Sequence, residues 1–455
     1  MMNQYENKKV LVVGMARSGV AAAQLLVKHG AQVIINDNKT KEELGDAVAP
    51  LALLPVTWML GKPAAECLEG VDAMVISPGI PDTAGFVRQA KDMGIYVTGE
   101  LELAYQLAQG DMVAVTGTNG KTTTVSLLGE MFRNAGRVPH VVGNIGYPYS
   151  AAALESKPED IFVCEVSSFQ METADTFHPR AAAMLNITED HLNRHGTMEC
   201  YTQTKMRIFR NQTEEDVAVF NGDDPALEPL IGQAKSRVML FSRKKKVDCG
   251  AYVQDGRMII RWQGAEKPVC DVKEIFIPGP HNLENALAAA CIATAMGVPA
   301  PVIRHTLRTF KGVEHRIEFV RELEGVRYIN DSKGTNVDST IKAVQTMDRP
   351  TAIILGGYDK HCDFIPMVQE MQASPFIREA VLIGVTADQI EQTCKTCGFD
   401  HVHRAATLKD AIDQCRALAQ DGWNVLLSPA CASFDMFPDY EARGRIFKEL
   451  VHELN

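Results

Sequence analysis

The chain has 455 residues, 46% of them hydrophobic and 23% charged, with a formal net charge of −11. That length suits two to four domains with sizeable cores, and the acidic balance excludes a general nucleic-acid binder, so any anionic substrate needs a local basic pocket. No run of 18 apolar residues marks a membrane span, no apolar leader precedes the first strand, and eleven scattered cysteines suit reduced thiols, so a cytoplasmic protein is predicted.

Strands and helices alternate throughout, which predicts an α/β fold of mostly parallel sheets in three blocks, 1–99, 100–312 and 313–455. The first block opens with strand KKVLVVG, a helix to about His29 and strand AQVIINDN, followed later by AMVISPGIP. Gly14, Ala16 and Gly19 stand at the spacing of a dinucleotide fingerprint with its middle glycine replaced. Asp37 ends the next strand, where ribose-binding acids sit. NAD, another nucleotide whose diphosphate uses the same helix N-terminus, or a plain tight turn would each satisfy that pattern. Ser77, Pro78 and Gly79 follow another strand and could line the same crevice.

The second block opens with VAVTGTNGKTTT at 113–124, a β-branched strand entering a glycine turn and then a helix that starts near Lys121. Gly117 and Gly120 permit backbone N–H groups to turn inward as an anion nest, and the helix dipole adds to it. Lys121 suits phosphate oxygens and Thr122 a magnesium ion. Only Thr118 and Asn119 separate the glycines, so this is not a literal P-loop. The strands IFVCEV, AAAMLNI, DVAVFN and RVMLF follow, then a hairpin-rich patch over 247–277. Glu165 ends one strand, as a magnesium-holding carboxylate or a plain strand-end acid. NITEDHLNRHG places Asp190, His191 and His195 in one loop, with His191 a ligand or a turn cap. Lys205 falls on a helix, and His281 and Asn282 at the start of another, with Asn282 a cap or a ligand contact. The basic run 243–246 reads as a solvated turn.

In the third block Arg316 lies near the domain junction, ready for a triphosphate or a salt bridge. The strands VRYIND, TAIILGG, AVLIGV and NVLLSP follow, and polar turns after three of them, NDSKGTN, GGYDKHCDF and SPACASFD, point to one ligand crevice. Cys394 and Cys397, with His401 and His403 nearby, could form half a zinc site, but the segment reads as an amphipathic helix ending at Gly398.

Taken together, GTNGKT, the glutamate before SS, NITEDHL, the helix lysine, HNLENALAA, EHR and the Asp turn resemble, in order and over nearly the whole chain, the Mur ligase family of ATP-dependent amide-forming enzymes. The resemblance implies a Rossmann-like N-terminal domain, a central P-loop-type ATP-binding α/β domain and a C-terminal Rossmann-like domain, closing around one crevice before chemistry. NDSKGTN and LSPACASFDMF favour the branch that adds D-glutamate to UDP-N-acetylmuramoyl-L-alanine through an acyl phosphate, in peptidoglycan precursor synthesis. Another Mur-type amino-acid ligase, a folate polyglutamate-type ligase and a dinucleotide-binding oxidoreductase are the alternatives.

By resemblance, Met15, Ala16, Arg17 and Ser18 lie near the substrate's diphosphate and Asp37 near its uridine, with Ser77, Gly79, Asn144 and His191 also on this substrate. Gly117, Thr118, Asn119, Gly120, Lys121, Thr122, Thr123, Asn282, Arg316 and Asp331 would hold ATP. Thr122, Glu165, His191 and Lys205, the last as a carbamate, would hold Mg2+, and Lys121, Lys205, His191 and Arg316 would be catalytic. Lys333, Thr335, Lys360, Ser433, Phe437 and Tyr440 would surround D-glutamate, Tyr440 standing where a phenylalanine is expected. The chain is expected to act as a monomer on small molecules, without nucleic acid or membrane span.

Overall fold

The computed structural model describes residues 4–144, 147–358 and 362–454, and its strands form three successive sheets. The first holds β1 (Lys9–Val13), β2 (Gln32–Asp37), β3 (Val56–Leu60), β4 (Ala73–Ile76) and β5 (Tyr96–Gly99) in the order β3-β2-β1-β4-β5, all parallel. β1, β2 and β4 are buried on both faces, which is why they read as unbroken apolar runs. Strand order reverses between β1 and β4, so residues 14–18 and 77–79 flank the crevice at that switch point.

The second sheet holds β6 (Asp111–Thr116), β7 (Val138–Gly143), β8 (Asp160–Glu165), β9 (Ala181–Met184), β10 (Val217–Asn221), β11 (Arg237–Ser242), β12 (Gly250–Gln254), β13 (Arg257–Trp262) and β14 (Ala265–Asp271). Its order is β14-β13-β12-β11-β10-β9-β6-β8-β7. Pairing is parallel from β7 across to β12, and β12, β13 and β14 are antiparallel, as the hairpin-rich composition predicts. With β6 between β8 and β9, the turns leaving these three strands come together.

The third sheet holds β15 (Glu318–Leu323), β16 (Val326–Asn330), β17 (Thr351–Leu355), β18 (Ile377–Leu382), β19 (Val402–Arg404) and β20 (Asn424–Leu427), ordered β15-β16-β20-β17-β18-β19. Only β15 is antiparallel to its neighbour. Side chains alternate along β17: Ile353 and Leu355 pack with Met367 on one face, Ala352 and Ile354 with Phe447 on the other.

Residues 1–275 and 283–310 form one compact unit, and residues 276–282 with 311–455 a second. In the first unit, Leu25 and Leu26 of the helix Arg17–Lys28 share a core with Tyr149 and Phe162, so the first two sheets are welded through one apolar cluster.

Apolar patterning does not mark β3, β5, β7, β15 or β19, and all five are edge strands. An edge strand has one paired neighbour and weaker cover, so its sequence need not be continuously apolar. No residue of β3 or β15 is fully buried, and β7 carries Pro139, which only an edge tolerates well.

Candidate active site

β6 delivers the loop 117–120 to the N-terminus of the helix Lys121–Asn134. Gly117 has φ 144° and Gly120 φ 86°, and a Cβ on Gly120 would lie 2.2 Å from Asn285 Oδ1, so side chains are excluded there. The expected nest of inward N–H groups needs a correction. Thr118 N–H donates to Asn186 O (3.1 Å) and Asn119 N–H to Asn186 Oδ1 (2.9 Å), because the turn after β9 packs against the loop and satisfies these amides within the protein. Two amides of the loop are thereby engaged, and the N-terminus of the helix Lys121–Asn134 still opens at its end.

Behind the loop, Glu165 at the end of β8 is buried and accepts from Thr122 Oγ1 (2.8 Å) on one oxygen and Asn144 Nδ2 (2.9 Å) on the other. Turns after β6, β7 and β8 thus bring Thr122, Asn144 and Glu165 to one point. Lys121 Nζ curls back to Gly117 O (2.9 Å) and Thr118 O (2.7 Å). Lys205, on the helix Met198–Met206, is 2% exposed and donates to the same Gly117 O (2.9 Å), with its ammonium 4.7 Å from the Tyr201 ring centre. Two lysines therefore share one carbonyl. Burial first, and then Lys121, push the Lys205 pKa well below the usual lysine value, so the neutral amine is easier to reach here than on an exposed lysine.

His191 sits at the N-cap position of the short helix Leu192–His195 with φ 55° and no side-chain capping bond, and its ring lies 4.8 Å from the Phe169 ring. In the first sheet, Met15 N–H donates to Asp37 Oδ2 (2.8 Å) and Ser77 Oγ to Gly14 O (3.0 Å), tying together the turns after β1, β2 and β4. Ala16 ends that turn as the N-cap of Arg17–Lys28, Arg17 and Gly79 are exposed, and Ser18 is half-buried in the first turn of that helix.

In the second unit, Asp331 after β16 is fully buried and accepts from Ser428 Oγ (2.7 Å) and Ile317 N–H (3.2 Å), with Arg316 Nη1 at 3.5 Å. Burial raises its pKa more than Arg316 lowers it. Lys333 Nζ donates to Tyr440 Oη (3.0 Å), and Thr335 N–H to Lys333 O (2.9 Å). Ser433 is buried and its carbonyl accepts from Phe437 N–H (2.8 Å). Asn282 Nδ2 donates to Pro278 O (2.7 Å). Lys360 lies outside the described residues.

Sequence reasoning passed over Arg443, which is 1% exposed on the C-terminal helix Tyr440–Glu453. It donates to Ser332 O (2.8 Å), Ser332 Oγ (2.9 Å) and Cys431 O (3.2 Å), stapling the turn that carries Lys333 to the one that carries Ser433. Burial, its main influence, moves its pKa down to about 10. An amphipathic helix hides such a residue, because arginine is read as its solvent face. Cys394 is buried in the helix Ala387–Cys397, whereas His401 and His403 pair with Glu379 (3.6 and 2.9 Å). Among the described residues no group of three or more His, Cys, Asp or Glu is placed to hold a metal ion.

Three family models match in register with the three sheets: a Mur ligase MurD-like N-terminal domain over residues 8–99, a Mur ligase middle domain over 115–293 and a Mur ligase glutamate ligase domain over 315–431. The chain is 48% identical over 453 residues to a UDP-N-acetylmuramoylalanine–D-glutamate ligase of Caldanaerobacter subterraneus subsp. tengcongensis, covering 99% of both. It is 44% identical over 451 residues to the enzyme of that name from Clostridioides difficile, again covering 99% of both. Among solved structures, the UDP-N-acetylmuramate–alanine ligase MurC of Thermotoga maritima superposes with a TM-score of 0.62 at 18% identity, covering 98% of this chain and 99% of that one. MurF of the same organism, in complex with ADP, gives 0.60 at 16%, covering 99% and 96%. The motifs around Lys121, Glu165, Lys205, Arg316 and Asp331 thus sit within matches that span the chain from end to end, and the chain belongs to the Mur ligase family.

Proposed function

We propose that this protein is an ATP-dependent ligase that joins D-glutamate to UDP-N-acetylmuramoyl-L-alanine, with domains at 1–99, 100–312 and 313–455. The observation that carries the reading is the convergence of Lys121, Thr122, Asn144, Glu165 and Lys205 on the turns leaving β6, β7 and β8. Full-length relatives at 44–48% identity carry this activity in their names.

The substrate's terminal carboxylate attacks the γ-phosphorus of ATP, ADP leaves and an acyl phosphate forms. The D-glutamate amine then attacks the acyl carbon, and phosphate departs from the tetrahedral adduct. The protein's contribution is positioning and charge neutralisation. Lys121 and Arg316 offset negative charge on the transferred phosphoryl group. Residues 117–123, Asn282 and Asp331 hold the nucleotide. Residues 15–18, Asp37, Ser77, Gly79, Asn144 and His191 hold the UDP substrate. Lys333, Thr335, Lys360, Ser433, Phe437 and Tyr440 hold D-glutamate.

A hydroxyl and a carboxylate side by side are hard oxygen donors that fit Mg2+ shared with phosphates, and no all-protein cage is required. When bound, Mg2+ would be held by Thr122, Glu165, His191 and Lys205 as carbamate, and would neutralise phosphate charge. Neutral Lys205 is the form that adds CO2 and loses a proton, and the resulting anion turns repulsion from Lys121 into attraction. No helix among the described residues is long and apolar enough to cross a membrane. We take the protein to be a cytoplasmic monomer.

A panel of amino acids scored by phosphate release, with ATP, Mg2+ and UDP-N-acetylmuramoyl-L-alanine, tests the reading. Release with D-glutamate is expected. Release with another amino acid and none with D-glutamate would reassign the substrate, and no release with any would refute the ligase.

A further inference from the structure

The described site has two ends in the first unit, the turns after β1 and β4 and the loop of His191. One side chain joins them. Arg194 Nη1 donates to Pro78 O (3.0 Å) and Gly79 O (3.2 Å), and Nη2 to Ile80 O (3.1 Å). The same guanidinium is bidentate to Glu172, Nε to Oε1 (3.0 Å) and Nη2 to Oε2 (2.5 Å), and lies 4.3 Å from the Phe169 ring centre. The same ring lies 4.8 Å from the His191 ring, and Arg194 N–H donates to His191 O (3.0 Å). Glu172 is itself held, its carbonyl accepting from Arg207 Nη1 (2.9 Å). On the far side, Ser77 Oγ closes the linkage to Gly14 O (3.0 Å). Both partners of the ion pair are only 13% exposed.

A guanidinium whose planar fork meets three carbonyls and a carboxylate at once is a rigid spacer. Lysine, a point charge on a flexible stem, cannot reproduce it. The distance it sets is the one between the 77–80 turn and the loop of His191.

Resting on the ligase reading, we propose that Arg194 is a positioning residue that gauges the UDP-sugar substrate, holding the 77–80 turn and the His191 loop at the spacing one bound molecule must bridge. UDP alone touches only one end and is indifferent to the spacing, whereas UDP-N-acetylmuramoyl-L-alanine touches both.

Calorimetric titration of the full-length protein with each ligand tests this, using wild type, Arg194→Gln and Arg194→Lys. The full substrate should bind Arg194→Gln about tenfold or more weakly, and UDP within about twofold of wild type. In steady-state assays the KM for this substrate should rise while that for D-glutamate stays level. Arg194→Lys, which keeps the charge, should lie nearer to Arg194→Gln than to wild type, and it carries the test if the glutamine variant does not fold. Equal loss of UDP and full-substrate affinity means a general structural role and overturns the proposal, as does unchanged binding of the full substrate. A wild-type protein that binds UDP but not the muramoyl substrate overturns the ligase reading, and this inference with it.

Discussion

His281 is half-buried, with both ring nitrogens shielded from solvent and neither hydrogen-bonded among the described residues. Burial, then Arg316 and Lys342, bring its pKa down to about 3. Below pH 6.5 the unfolded chain takes up a proton that the folded chain refuses, so stability falls as pH drops from 6.5 toward 3 and is unaffected above 6.5. Between pH 7.5 and 5, wild type should lose about 2 kcal/mol more than His281→Gln in chemical denaturation. Parallel losses would place the ionisation elsewhere. Tyr440 bears on the residues assigned to D-glutamate. Its hydroxyl accepts from Lys333 and its ring lies 4.8 Å from that ammonium. Tyr440→Phe keeps the ring and removes the bond, a net loss of about 1 kcal/mol. The KM for D-glutamate should rise about fivefold with the KM for ATP unchanged. An unchanged D-glutamate KM would mean that the hydroxyl does not set the lysine's position.

Turn geometry decides function at the scale of the element. Gly120 combines a left-handed backbone with a neighbour, Asn285 Oδ1, that an added Cβ would meet at 2.2 Å. Gly120→Ala should cost about 1–3 kcal/mol in thermal unfolding and reduce ATP-dependent phosphate release at least tenfold. Pairing it with Asn285→Ala removes the clash and leaves the strain, so the double variant should recover stability only in part. Full recovery would assign the whole effect to the clash. The loop's spacing, its flanking strand and helix, and the place of Glu165 after β8 were legible because each depends on residues close in sequence. That Asn186 occupies two loop amides was not, since it follows from β9 pairing beside β6 across 67 residues of chain.

The whole molecule divides its candidate ligands between two compact units. The residues assigned to UDP lie in 1–275, and the described ones assigned to D-glutamate in 311–455. Each unit has its own sheets and cores, so scanning calorimetry should resolve two transitions. UDP should raise the one and D-glutamate the other, each by about 2.7 kcal/mol at a hundred times its Kd. A single transition moved equally by both ligands would show that the units unfold as one.

By itself the sequence determined the alternation of strands and helices, the central strands, the polar turns at their C-terminal ends and the family those turns resemble. These are local signals: period, burial on both faces, and glycine at backbone angles other residues avoid. Tertiary structure decided the edge strands, whose weaker burial leaves little pattern to read. It also decided which distant turns meet. The two lysines on Gly117 O, the Arg443 staple and the Arg194 gauge each join segments far apart along the chain. The side chains of Lys205, Arg443 and Arg194 look like solvent-facing charges until the fold brings carbonyl acceptors around them.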